Sequence, residues 1–150
     1  MQTFLPHPNI RQSLECLDNK RLGKQRVEAM QLVNALERGG GAWFNHPAAQ
    51  MWEWHEQALM VYHDMSISVW KECGFKNTME LYFERHNIDE VAERLYKNET
   101  SFFGVPEWFG NPAFHASHRS NLLRKDPIHY GQFGWKEPDD LPYVWPSKNK

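Results

Sequence analysis

Apolar residues recur at helical spacing through most of the chain, and the polar residues between them mark where helices start and stop. The clearest run is residues 17–36, LDNKRLGKQRVEAMQLVNAL. It begins at Asp18, a good N-cap, and meets no proline before Gly39, Gly40 and Gly41 end it. At about 100° per residue, Leu22, Ala29, Val33 and Leu36 fall on one face, which predicts a stripe turned to the core. Ahead of this run, residues 1–9 hold two prolines and read as extended chain with Phe4 and Leu5 tucked inward, and residues 10–16 read as a short helical turn.

Asn45-His46-Pro47 is a second helix start, with polar cap candidates followed by proline at the first helical position. The next stop is Gly74, so the pattern predicts one helix of about 27 residues, about 40 Å long, as the spine of the molecule. Its stripe reads Ala48, Met51, Ala58, Leu59, Tyr62, Met65, Val69 and Cys73, with His55 in the middle. Residues 78–86 and 88–97 read as two shorter helices whose glutamates face solvent. Residues 99–111 form an aromatic loop carrying Phe102, Phe103, Trp108 and Phe109. Asn111-Pro112 then opens a helix that ends before Pro127. From Gly131 the chain is rich in proline, glycine and aromatics and reads as irregular. No stretch alternates like a strand. The expectation is an all-α, compact single domain over residues 1–150, built around one long central helix, with three main helices, short helices and an irregular C-terminal segment.

Composition changes little in this picture: 150 residues suffice for one core, and 41% hydrophobic with 24% charged residues is ordinary for a globular chain. Seven Trp, nine Phe and five Tyr are not ordinary, and supply flat surfaces suited to core packing or to base stacking. The formal charge is −2, so any site for a polyanion must be a local patch. The basic clusters are Lys20, Arg21, Lys24, Arg26 and, later, Arg119, Arg124, Lys125. Cys16 and Cys73 are too few and too far apart for a disulfide framework or a zinc knuckle, and read as free, buried thiols. No apolar run approaches the ~20 residues that span a bilayer, and residues 1–10 do not resemble a signal peptide, so a cytoplasmic protein is expected.

Two places carry candidate chemistry. Arg21, Lys24 and Glu28 lie three and four residues apart on the flank of the apolar stripe, a carboxylate beside two cations. Spacing alone favours a Lys24–Glu28 helix pair worth about 0.3–0.5 kcal/mol. The helix from Pro112 has no clean apolar face: His115, Ser117, His118, Arg119, Ser120 and Asn121 interleave with Phe114, Leu122 and Leu123. Burying one side of it buries polar groups that need partners. These groups either line a groove with donors for phosphate oxygens or form an internal network that fixes packing. The eight histidines show neither HExxH nor ligand spacing with cysteines, so no metal is expected; His55 reads as a hydrogen-bonded core histidine and His46 as part of a helix start.

LDNKRLGKQRVEAM, NHPAAQMW and FHASHRSNLLRKDPIHYGQFGW, in that order, resemble the phage-type pyrimidine-dimer DNA glycosylase (endonuclease V) family, in its divergent bacterial and viral branch. The resemblance spans roughly residues 17–135. It implies a compact all-α fold and an enzyme that cleaves the glycosidic bond of a damaged or modified pyrimidine in duplex DNA, with a lyase step at the backbone. It implies no cofactor, and a monomer is expected. In that family an N-terminal α-amine attacks the sugar C1′ and a glutamate on the first long helix assists. Carried over, the glutamate falls on Glu28 and the amine on Met1, and the phosphate-holding basic residues around the glutamate on Arg21, Lys24 and Arg26; His115, His118, Arg119, Arg124 and Lys125 complete the expected DNA-binding set from the polar helix.

Two departures stand out. The family nucleophile is a small residue exposed when the initiator methionine is removed, whereas the bulky Gln2 follows Met1 here; either Met1 itself supplies the amine, or the amine nucleophile is missing and the enzyme is a glycosylase that uses water. The family also has an arginine directly before its glutamate, where this chain has Val27; Arg26, two residues from Glu28, turns toward the core side. A non-catalytic DNA-binding module on the same fold, or a structural helical protein, remain the alternative readings of the residues alone.

Overall fold

The computed structural model describes residues 1–97 and 104–146. The described chain is all-α. Its elements in order are α1 (Ile10–Glu15), α2 (Asn19–Arg38), α3 (Pro47–Gln50), α4 (Glu56–Glu72), α5 (Ile88–Lys97), α6 (Pro112–Lys125) and α7 (Pro127–Tyr130), then a 3-10 turn at Gly131–Phe133. Among the described residues no helix is long and apolar enough to cross a membrane.

The caps explain the ends of α2. Asp18 is extended and its carboxylate accepts the Arg21 N–H, while Gly39 takes a left-handed φ of 72° and returns its N–H to the Ala35 carbonyl. The predicted stripe is inside: Leu22, Ala29, Val33 and Leu36 are buried, joined by Leu32. α4 is the central element, packed against α1, α2 and α5. Gly23 of α2 lets the Trp70 ring of α4 pack close, since a Cβ there would lie 3.1 Å from it.

The expected 27-residue helix is instead two helices. His46 caps α3 through Nδ1, which accepts the Ala48 N–H, but the chain turns through 51–54 and α4 starts only at Glu56. Trp54 has φ 74°, the one positive φ on a non-glycine residue among those described. A continuous helix carries His55 into the core; the turn leaves it half-exposed at the head of α4, so it is not the core histidine expected. The same turn buries Trp52, whose indole N–H donates to Thr3 Oγ1 and whose ring packs edge-on against Trp108, 5.0 Å between centroids. No Gly or Pro announces this break.

Residues 78–86 are likewise not helical. Asp64, buried on α4, accepts the backbone N–H groups of Tyr82 (3.0 Å) and Phe83 (2.7 Å) and so takes donors that a helix pairs internally. Of the two cysteines, Cys16 is buried as expected, but Cys73 is exposed just past the end of α4.

Residues 1–9 thread between α2, α4 and α6, with Phe4 and Leu5 buried. Side chains meet nearly every backbone group of this segment. Gln25 takes the Gln2 carbonyl and the Phe4 N–H. His118 accepts the Leu5 N–H, His115 donates to the Leu5 carbonyl, and Arg119 donates to the Pro6 carbonyl. The chain after Gly134 returns along the other side of α6, where Ser117, Ser120 and Asn121 bond the backbone of Val144, Pro138, Leu141 and again Leu141. The mixed polarity of α6 is thereby accounted for: it is a core helix whose hydroxyls, amides and imidazoles hold two irregular segments.

Candidate active site

The threading of the N-terminal segment sets Met1 beside α2. The Gln2 N–H donates to Glu28 Oε2 at 3.1 Å. Met1, Glu28, Gln2, Gln25, Arg21, Lys24, Lys125, Phe4 and Tyr143 line one cavity of about 290 Å³. A second, more apolar depression of about 510 Å³ adjoins it, walled by Val27, Trp43 and Trp70. Met1, Lys24 and Glu28 border both, so they stand on the divide.

Glu28 sits here because it lies three residues beyond Gln25, on the edge of the buried face of α2 where helix meets solvent. Among the described residues no ion pair joins it to Lys24 or to the Met1 amine, so the simple helix pair is not formed. Its resolved hydrogen bond is to the backbone of residue 2. The charges also reach His46: burial and the N-terminal charge lower its pKa, while Glu28 pulls it up.

The cations of the cavity outnumber its carboxylate three to one, Arg21, Lys24 and Lys125 against Glu28, although the chain as a whole is slightly acidic. Arg21 is braced by Asp18, 3.1 Å away, and Asp18 also accepts the Tyr130 hydroxyl. Burial pushes the Asp18 pKa up, but the bonds from Tyr130 and Arg21 outweigh it and hold the carboxyl below its usual range. The Lys125 pKa is lowered by burial and by the nearby charges of Arg21 and Arg124. Crowding of positive charge around a small cavity is what phosphate oxygens complement.

The remaining members of the expected DNA-binding set are elsewhere or occupied. His115 and His118 are inside the protein, 3% and 0% exposed, and cannot touch DNA; they anchor Leu5. Because His115 Nε2 accepts the Gly110 N–H, its proton is on Nδ1, facing the Leu5 carbonyl. Burial lowers the His118 pKa to about 3, so its imidazole is neutral. Arg119 pairs with Glu137 at 2.9 Å and holds Pro6, and Arg124 bonds Asn121 and the Asp139 carbonyl. Arg26 lies over the Trp70 ring at 4.3 Å and donates to Asn77, on the core side as its offset from Glu28 implies. In the aromatic loop, Phe102 and Phe103 lie outside the described residues. Trp108 is buried and bonded to Met51, so it is no exposed wedge. The exposed tryptophans are Trp43 and Trp54.

Two contributors to the cavity escaped the sequence reading. Tyr143 arrives from the irregular C-terminal segment, for which no periodicity exists to read. Gln25 had a signal: it falls three residues after Leu22, on the apolar stripe, where a buried amide must find partners. Among the described residues no three His, Cys, Asp or Glu side chains converge as a metal site.

The family model for pyrimidine dimer DNA glycosylase matches residues 1–83, more than half of the chain. The chain belongs to the pyrimidine dimer DNA glycosylase family. The matched part runs from Met1 through α4 and contains Met1, Arg21, Lys24, Gln25 and Glu28; Lys125 and Tyr143 come from beyond it. No curated protein and no solved structure matches the chain. Membership assigns a DNA glycosylase role with DNA as the substrate.

Proposed function

We propose that the protein removes a damaged or modified pyrimidine from duplex DNA with the Met1 α-amine as nucleophile and Glu28 as its proton acceptor, and that a lyase step follows. Residues 1–150 work in this reading as one glycosylase unit. The observation that carries it is the Gln2 N–H bond to Glu28 Oε2, 3.1 Å, which puts the chain's first residue and a carboxylate at one cavity.

An α-amine is less basic than a lysine and retains a larger neutral fraction near neutral pH. The neutral amine attacks C1′ while the C1′–N bond to the base breaks and the base leaves with its electron pair, taking up a proton. Glu28 accepts a proton from the attached nitrogen, the C1′–O4′ bond opens with O4′ protonated, and a Schiff base results. Loss of a C2′ proton then expels the 3′ phosphate by β-elimination. Arg21, Lys24 and Lys125 hold the phosphates on either side. The adjoining groove with Trp43 offers a flat face to a base extruded from the stack.

Borohydride reduction of a mixture with abasic DNA tests the amine: a covalent adduct is expected, and one added residue ahead of Met1 should abolish it by turning the amine into an amide. Glu28→Gln keeps an acceptor for the Gln2 N–H and removes only the charge and the proton acceptor. Cleavage is expected to fall by about 100-fold or more with DNA binding nearly unchanged. Full activity in that variant would reduce Glu28 to an anchor of the N-terminal segment.

A further inference from the structure

Gln25 is 1% exposed, lies one helical turn before Glu28 on the same face of α2, and has no partner on its own helix. Its side-chain Nε2 donates to the Gln2 carbonyl at 2.9 Å, and its Oε1 accepts the Phe4 N–H at 2.9 Å. The amide orientation is therefore set by the backbone: a flipped group would set N–H against N–H and oxygen against oxygen. The Tyr62 hydroxyl of α4 lies against both Gln25 Oε1 and the Phe4 carbonyl and closes the cluster from the other side. With Glu28 on the Gln2 N–H, α2 partners the Gln2 N–H, the Gln2 carbonyl and the Phe4 N–H, the groups of alternate residues that a neighbouring strand partners in a sheet.

We infer that Gln25 is a positioning residue, which fixes where the Met1 amine stands relative to Glu28; the inference rests on the amine reading above. The Met1–Gln2 peptide is planar, and its N–H is held by Glu28. The next carbonyl along, that of Gln2, is held by Gln25. With both secured, rotation about the Met1 Cα–C bond is the backbone torsion left to place the amine. Without Gln25 the segment keeps its anchors at Leu5 and Pro6 but loses its hold on the Gln2 carbonyl and the Phe4 N–H, so that Glu28 alone secures the residue next to the reacting nitrogen. A nucleophile displaced by about 1 Å costs about 100-fold in rate, while groups that bind phosphate are untouched.

The test follows single-turnover borohydride trapping on abasic duplex DNA across DNA concentrations, with amide hydrogen exchange alongside. In the native chain the Phe4 amide is expected to exchange slowly, as a bonded, buried N–H does. Gln25→Met, close in size but without either bond, should lower the trapping rate at saturating DNA by about 100-fold and leave the half-saturating concentration within about twofold. Gln25→Asn, which retains both groups on a shorter arm, should fall between. The inference is overturned by native trapping rates in Gln25→Met, by a rate and affinity that fall together as in a merely destabilised fold, or by a freely exchanging Phe4 amide in the native chain, which requires no variant. A native chain that forms no adduct at all overturns the amine chemistry itself, an outcome distinct from an adduct that Gln25 does not influence.

Discussion

At the scale of single residues, His118 shows how a side chain suited to one chemistry is used for another. Its neighbours Phe4, Phe114 and Tyr143 enclose it, and its Nδ1 accepts the Leu5 N–H, so the ring has to be neutral. Its pKa is near 3 in the folded protein against an ordinary value of 6.5, with burial the larger cause and the neighbouring His115 the smaller. Between these values the unfolded chain binds a proton that the folded chain refuses. Stability from this group is complete above pH 6.5 and is lost as pH falls toward 3, at up to about 1.4 kcal/mol per pH unit. Urea unfolding at a series of pH values from 7 to 4 measures the slope. His118→Asn retains an acceptor for Leu5 and should flatten it; an unchanged slope assigns the pH dependence to other groups, the lowered carboxylates among them. The place of Glu28 at the edge of the buried face was legible in the sequence, because charge beside an apolar stripe is a local pattern. The burial of His118 was not, since it depends on a segment more than a hundred residues away.

At the scale of elements, the start of α2 is tied to the far end of the chain. Asp18 caps the helix through the Arg21 N–H, pairs with the Arg21 guanidinium, and accepts the hydroxyl of buried Tyr130 from α7. Asp18→Ala is expected to cost about 2 kcal/mol, the upper end for a lost cap, because Tyr130 also loses its acceptor. Asp18→Asn, which can still cap, should cost less; thermal melts of the two variants give the comparison, and equal losses would mean that the charge rather than the cap matters. α1, α2, α5 and α6 were readable because caps, prolines and glycines are written beside them. The break at 51–55 was not readable. It is made by the burial of Trp52 against Thr3 and Trp108, and it carries a left-handed Trp54 that local preference opposes by about 1–2 kcal/mol. The 78–86 segment was misread for the same reason, because the Asp64 carboxylate that takes its backbone donors belongs to another helix.

At the scale of the whole molecule, the question is how a chain of net charge −2 holds a polyanion. The structure uses its cations unequally. Arg11 is spent joining α1 to Glu72 and Asp89, Arg119 and Arg124 on the C-terminal segment, and Arg26 on Trp70. Lys24 and Lys125 are left facing the cavity that holds Met1 and Glu28, Arg21 faces it from its pair with Asp18, and the acidic residues of 80–93 are carried by a different part of the chain. Binding should therefore be local and moderately salt-sensitive, not driven by a global field. If these three cations each neutralise one phosphate, the logarithm of the binding constant should fall against the logarithm of salt concentration with a slope of about −3. Replacing Lys24 or Lys125 by Gln should each flatten the slope by about one, whereas Arg119→Gln should leave it unchanged and lower stability instead. Fluorescence anisotropy of a labelled duplex between low and physiological salt measures all four slopes. A slope that drops for Arg119→Gln but not for Lys24→Gln would move the DNA-binding face from the α2 cavity to α6.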